Sequence, residues 1–229
     1  MDSSRVQTLV AQIEDRDLST AAHTWRVVLY TRALAERFHV DDELMHQLTL
    51  GAALHDVGKL DIPIGILQKP GRLTDEEYET IKLHTVAGFA RLVLLGVEEE
   101  PILDLVRYHH ERWDGLGYPF GLRGELIPLP ARYFAVIDAF DAMTSLRPYR
   151  TDVGEEAGER AAKELERGSG SRYWPPAVDA FLALYRSRAL DWITHYYNDD
   201  AAPSAYRAGA LPRVAGGERE LSVAQSRSE

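Results

Sequence analysis

Five of the eight histidines in the 229-residue chain, His23, His55, His84, His109 and His110, stand beside one another or on helical segments that can converge. Asp56 follows His55 directly. Asp138 lies in the apolar run FAVIDAFDAMTS, where an unpaired carboxylate is costly unless it meets a metal or a cation. Singly, each residue has an ordinary alternative: a core hydrogen bond or surface exposure for a histidine, a helix cap or an arginine's partner for Asp138. As a set they suit a pair of divalent ions. Two ions need one shared anionic bridge and several neutral nitrogens, and an aspartate next to a histidine at the C-terminal end of a helix can bridge while its neighbour binds. Such a pair can deprotonate a water and neutralise phosphoryl oxygens, which is what hydrolysis of a phosphodiester at neutral pH requires. Imidazole mixed with carboxylate favours iron, manganese, zinc or nickel over calcium or magnesium.

Composition narrows the field further. The chain has no cysteine, which removes thiolate catalysis, Cys-ligated zinc, iron-sulfur clusters and disulfides. A net charge of −10 argues against binding a nucleic-acid polymer, whereas a small anion needs only a few local cations or metal ions. The N-terminus lacks the apolar run of a signal peptide, and no stretch of about 18 apolar residues suggests a membrane span. A cytoplasmic protein is expected.

The elements that must position these residues read as helices. Val27, Tyr30, Leu34 and Phe38 in HTWRVVLYTRALAERF recur at three- and four-residue steps. DDELMHQLTLGAALHDVG starts at an Asp41 or Asp42 cap and stops near Gly58. LTDEEYETIKLHTVAGFARLVLLG carries a capping box, Thr74 with Glu77, and ends at Gly96. EPILDLVRYHHERW, PLPARYFAVIDAFDAMTS and WPPAVDAFLALYRSRALDWITHYY continue the pattern, while TDVGEEAGERAAKELERGSGS is charged and weakly apolar. The fold class expected is all-α, an irregular bundle of about six to eight helices. Two long polar connections, KLDIPIGILQKPGRL and ERWDGLGYPFGLRGELIPLP, read as functional loops. Residues 1–18 read as an N-terminal helix or cap, 19–197 as the catalytic domain and 198–229 as a flexible tail.

HDVGK at 55–59, the isolated His84, HHERWDGLGYP at 109–119 and IDAFDAMTSLRPYR at 137–150 together resemble the HD-GYP domains of the HD metallophosphohydrolase superfamily. That resemblance implies an HD-type helical fold and hydrolysis of cyclic di-GMP to pGpG, in many members onward to GMP. It implies that His23, His55, Asp56 and Asp138 hold one metal and that Asp56, His84, His109 and His110 hold the other. Asp56 is then the bridge and the nucleophile a metal-bound hydroxide, with iron expected before manganese. Lys59 is expected to reach the scissile phosphate, and Arg147 and Arg150 match the family's phosphate-contacting basic pair. Tyr118 reads as a stacking platform for a base, and Asp141 as a support to the ligands. Arg112, Asp114 and Arg123 are expected to hold the loop in shape, and Trp113 to line the pocket rim. His39, His46 and His195 fall outside the pattern.

The chain departs from the family in two places. Three-metal members carry a glutamate four residues before the first histidine; this chain has Ser19, a poor ligand, so a dinuclear site is expected. Trp174 stands where the family has an aspartate, in GSRYWPP, which bears on the packing of the C-terminal helix. The 1–18 segment is expected to leave no room for a receiver or sensor domain, so regulation is expected through a regulatory or cyclase partner, through expression or through the redox state of the metal. Two other functions fit the same residues: a non-hydrolytic sensor or adaptor for a cyclic dinucleotide, and a phosphodiesterase for a hybrid cyclic GMP-AMP.

Overall fold

The structure, a computed structural model, describes residues 3–16, 21–145 and 155–196. Among these residues the chain forms eleven α-helices: α1 (Ser3–Arg16), α2 (Ala21–Arg37), α3 (Asp42–Leu54), α4 (Ile64–Leu67), α5 (Asp75–Lys82), α6 (His84–Leu94), α7 (Glu100–Tyr108), α8 (Leu129–Thr144), α9 (Glu155–Gly168), α10 (Pro175–Arg186) and α11 (Asp191–Tyr196). Two 3-10 turns, Val57–Asp61 and Gly124–Leu126, join them. No β-strand forms among the described residues, only two isolated bridges. None of the described helices is long and apolar enough to cross a membrane.

Helix starts follow local chemistry. Asp41 caps α3 by accepting from Leu44 N at 2.8 Å, and Thr74 with Glu77 forms the expected box on α5. Prolines open α7, α8 and α10, where their missing N–H is harmless. The helices outnumber the expectation because two expected elements break and a four-residue helix, α4, forms inside the connection KLDIPIGILQKPGRL. The run from Asp75 to Leu94 is interrupted at Leu83, and the run after Trp174 is interrupted after Arg186, with Arg188 at φ 65°.

Two apolar clusters make the core. The larger joins Val27, Tyr30 and Leu34 of α2 with Leu48 of α3, Phe134, Ile137 and Phe140 of α8, Leu165 of α9 and Phe181 of α10. The smaller joins Leu9, Val10 and Ile13 of α1 with Leu54, Val57, Leu92, Ile102 and Val106. Arg16 ties α1 down by donating to the Leu60 and Ile62 carbonyls at 2.7 and 3.1 Å. The segment read as weakly apolar is helix α9, whose buried face is built mostly of alanines: Ala157, Ala161 and Ala162, with Leu165. Trp174 packs in the aspartate's place against Phe38 and Tyr133, at ring separations of 5.9 and 5.7 Å.

Candidate metal centre

The histidines sit at helix ends, where carbonyls lack intrahelical partners. His55 follows the last turn of α3 and its Nδ1 lies 2.8 Å from the Ala52 carbonyl. His109 follows α7, with Nδ1 3.0 Å from the Val106 carbonyl. The break at Leu83 puts His84 at the start of α6, with Nδ1 2.7 Å from the Ile81 carbonyl of α5. His23, early in α2, meets the Asp141 carboxylate instead, at 2.7 Å. Each of these partners can only accept, so each Nδ1 carries the proton and, in the neutral ring, each Nε2 keeps a lone pair.

Those lone pairs converge. His23, His55 and Asp56 form one group of ligand atoms, and His84, His109 and His110 another, each within 4.8 Å. His23 Nε2 is 3.5 Å from His55 Nε2, and His84 Nε2 is 3.3 Å from His109 Nε2. Two lone pairs at such distances repel unless a cation lies between them, so the residues present fit divalent metal. Asp56 spans the two groups, with Oδ2 3.1 Å from His55 Nε2 and Oδ1 3.5 Å from His84 Nε2. That is the placement a bridging carboxylate needs.

The electrostatics follow from burial and neighbours. Burial holds His109 well below the usual imidazole range, with His110 and His84 adding repulsion. His110 is pushed down to about 3 by burial and by His84, and burial lowers His84 as well. For His55, burial opposes the charged form but the adjoining Asp56 carboxylate prevails and raises it. Burial works against the Asp56 anion too, yet His55, Lys59 and His84 hold it well below the usual carboxylate range.

Lys59 stands beside the cluster with Nζ 2.7 Å from Asp56 Oδ2. Asp138 belongs to neither tight group of ligand atoms, although its charge acts on His55, His110 and Tyr118. The Tyr118 ring lies on His110, 4.7 Å away and tilted by 33°, and burial raises its phenol above the usual range. Asp114 pairs with Arg112 at 2.6 Å and accepts from Leu116 N, while bridging to Arg123 through the backbone. Trp113 has Arg132 over its ring, 5.8 Å from the centroid, and the same guanidinium is 5.5 Å from Trp174. His39 and His46 are exposed. Arg147, Arg150 and Ser19 lie outside the described residues, as does the side chain of His195.

Three buried residues escaped the sequence reading. Arg26 donates to Asp141 Oδ1 through Nε at 2.6 Å and to Ser145 Oγ at 2.7 Å, and Ser145 Oγ donates to Asp141 Oδ2 at 2.8 Å. Asp141, fully buried, is thereby fixed against His23; burial opposes its charge, but Arg26 and His23 keep it ionised. Arg26 three residues after His23 was the available signal. Glu111 is the third: its oxygens accept from Phe120 N at 2.8 Å and Leu122 N at 2.9 Å, folding the glycine-rich loop back onto the paired histidines.

Residues 7–176 match the family model described as HD domain. Among curated proteins, a cyclic di-GMP phosphodiesterase from Thermotoga maritima is 43% identical over 175 residues, covering 75% of this chain and 46% of the relative. A 3′3′-cGAMP-specific phosphodiesterase from Vibrio cholerae is 34% identical over 182 residues, covering 77% of this chain and 34% of the relative. The chain thus spans less than half the length of these curated relatives. A solved HDG"Y"P protein from Bdellovibrio bacteriovorus shares the fold, with a TM-score of 0.58 at 22% identity over 72% of this chain and 51% of that one.

Proposed function

Because the chain belongs to the HD domain family, we propose that its His/Asp cluster is a dinuclear metal centre at which cyclic di-GMP is hydrolysed to pGpG, and onward to GMP. The observation that carries this reading is the convergence of the Nε2 lone pairs on either side of the Asp56 carboxylate. Likeness to the Thermotoga cyclic di-GMP phosphodiesterase supports the choice of substrate.

His23, His55 and Asp56 would hold one ion, with Asp138, outside that tight group, as its further ligand, and Asp56, His84, His109 and His110 would hold the other. Iron is favoured over manganese for this mixed donor set. Divalent ions supply an activated water and neutralise phosphoryl oxygens when bound. The chain's own residues do the rest. Asp56 joins the two halves of the site. Lys59, already beside Asp56, offers its ammonium to a non-bridging oxygen of the scissile phosphate. Tyr118, seated on His110, closes the pocket on one side and presents its ring to a base. Arg147 and Arg150 are assigned to the remaining phosphate contacts.

The likeness to a 3′3′-cGAMP-specific phosphodiesterase favours the hybrid dinucleotide as the second substrate to test. Anaerobically purified protein, loaded with ferrous iron or manganese and assayed with both cyclic dinucleotides, decides between them. About two metal equivalents and release of pGpG are expected, with turnover abolished in His55→Ala. Bound metal and bound ligand without product would replace the phosphodiesterase by a non-hydrolytic sensor.

A further inference from the structure

The end of α5 carries three residues that the metal centre does not use. Tyr78, Glu79 and Lys82 share one helical face, because Lys82 lies four and three residues after the other two. Lys82 Nζ is 2.6 Å from Glu79 Oε1, 5.5 Å from the centroid of the Tyr78 ring and 5.7 Å from that of Tyr118. Tyr118 rests on His110, so this group adjoins the histidine cluster. The Lys82 side chain is only 24% exposed, held between the two rings, whereas the Glu79 side chain is 68% exposed and Tyr78 49%. An ion pair at such a surface adds little stability, so exchanging part of it for contacts to a ligand costs little.

We propose that Tyr78, Glu79, Lys82 and Tyr118 form a guanine-reading subsite beside the metal centre. The proposal rests on the cyclic di-GMP reading above and adds a base preference to it. An ammonium only donates hydrogen bonds and a carboxylate only accepts them. Guanine sets an acceptor, O6, beside two donors, N1–H and the N2 amine. Lys82 can donate to O6 while Glu79 accepts from N1–H and N2–H. Adenine reverses the pattern, with an amine where guanine has O6 and a bare N1 beside it. The same pair then sets donor against donor and lone pair against lone pair, a repulsion that discriminates as well as the attraction does. The two tyrosine rings supply flat apolar surfaces against which a base can stack. A phosphate suits the place less well, because Glu79 neutralises Lys82 and repels an anion, whereas paired charges still donate and accept.

The metal-loaded full chain is titrated with GMP and with AMP by calorimetry, and kcat and KM are measured in parallel for cyclic di-GMP and cyclic di-AMP. Wild type is expected to favour guanine. Lys82→Met and Glu79→Ala should each lower the guanine-over-adenine ratio by about tenfold, the worth of one hydrogen bond to a charged group. The change should appear in KM rather than kcat, with metal content unchanged, and Lys82→Arg should retain the preference. A wild type that binds GMP and AMP alike, or binds neither, overturns the subsite, as do variants that keep the wild-type ratio. Cyclic di-GMP turnover alongside such a result leaves the phosphodiesterase standing; guanine preference without any turnover has the opposite meaning.

Discussion

At the residue scale the centre depends on which ring nitrogen keeps its proton. His55, His84 and His109 are set by carbonyls, but His23 is set by Asp141, a carboxylate locked by Arg26 and Ser145. Asp141→Asn keeps the shape while letting an amide N–H face His23 Nδ1, which favours the wrong tautomer. We expect this variant to lose about 10–100-fold in affinity for one of its metals, measured by titrating metal against a competing chelator, while the other metal stays. An unchanged metal isotherm would refute the role given to Asp141. The paired histidines and Tyr118 separate in the same experiment. His110→Ala should lose metal, whereas Tyr118→Ala should retain it and raise KM by about tenfold, the effect of removing one aromatic partner from a stacked base. The histidines that cluster were legible because their types and motifs single them out. Arg26 and Ser145 were not, because their contact forms only after α2 and the end of α8 meet, and Glu111 was not, because its acceptor role depends on how the loop after it folds back.

At the element scale, close backbone approach and loop closure place the ligands. A Cβ on Gly58 would lie 1.9 Å from the His84 carbonyl and 2.4 Å from Gly88 N, so the turn after Asp56 can touch α6 only with glycine there. Gly58→Ala is expected to destabilise the fold by at least about 1–3 kcal/mol, read in denaturant unfolding, and to weaken metal binding by parting Asp56 from His84. Gly117 is pressed as closely, its Cβ position 2.3 Å from Arg112 N, and Glu111 holds the loop there. Glu111→Ala leaves the Phe120 and Leu122 amides without their acceptor, a loss of about 1–3 kcal/mol. Limited proteolysis should then cut between residues 112 and 124, with metal retained; resistance equal to wild type would contradict this. Helix type and starts were legible from period and caps, whereas the break at Leu83 was not. The sequence runs on as one helix through that point, and the turn takes its sense from His84 reaching the Ile81 carbonyl and the metal group.

At the scale of the whole molecule, the site lies where the two apolar clusters meet, and its stability should depend on protons and metal together. His84, His109 and His110 are lowered by burial. As pH falls through about 6.5 the unfolded chain therefore takes up protons that the folded chain refuses, and stability is lost. His55, raised beside Asp56, works the other way, but it is one group against three. Asp56 and Asp141, held below the carboxylate range, contribute stability above about pH 4 that disappears as pH falls further. The Tm of chelator-treated protein should accordingly drop in two stages on acidification. Loaded protein should melt higher at neutral pH and converge on the stripped protein as acid expels the metal; a Tm that does not change between pH 7.5 and 3.5 would refute the assignment. The sequence by itself determined the all-α class, most helix starts, the histidine and aspartate types the centre requires and the family they resemble, because period, capping and motif spacing are local properties. Only the tertiary structure brought the two groups of ligand atoms to either side of Asp56, showed that alanines suffice to bury α9, and set Arg26 against Asp141 and Glu111 across its loop. Each depends on distances that packing and loop closure set, most of them between segments far apart in the chain, and that spacing along the sequence does not.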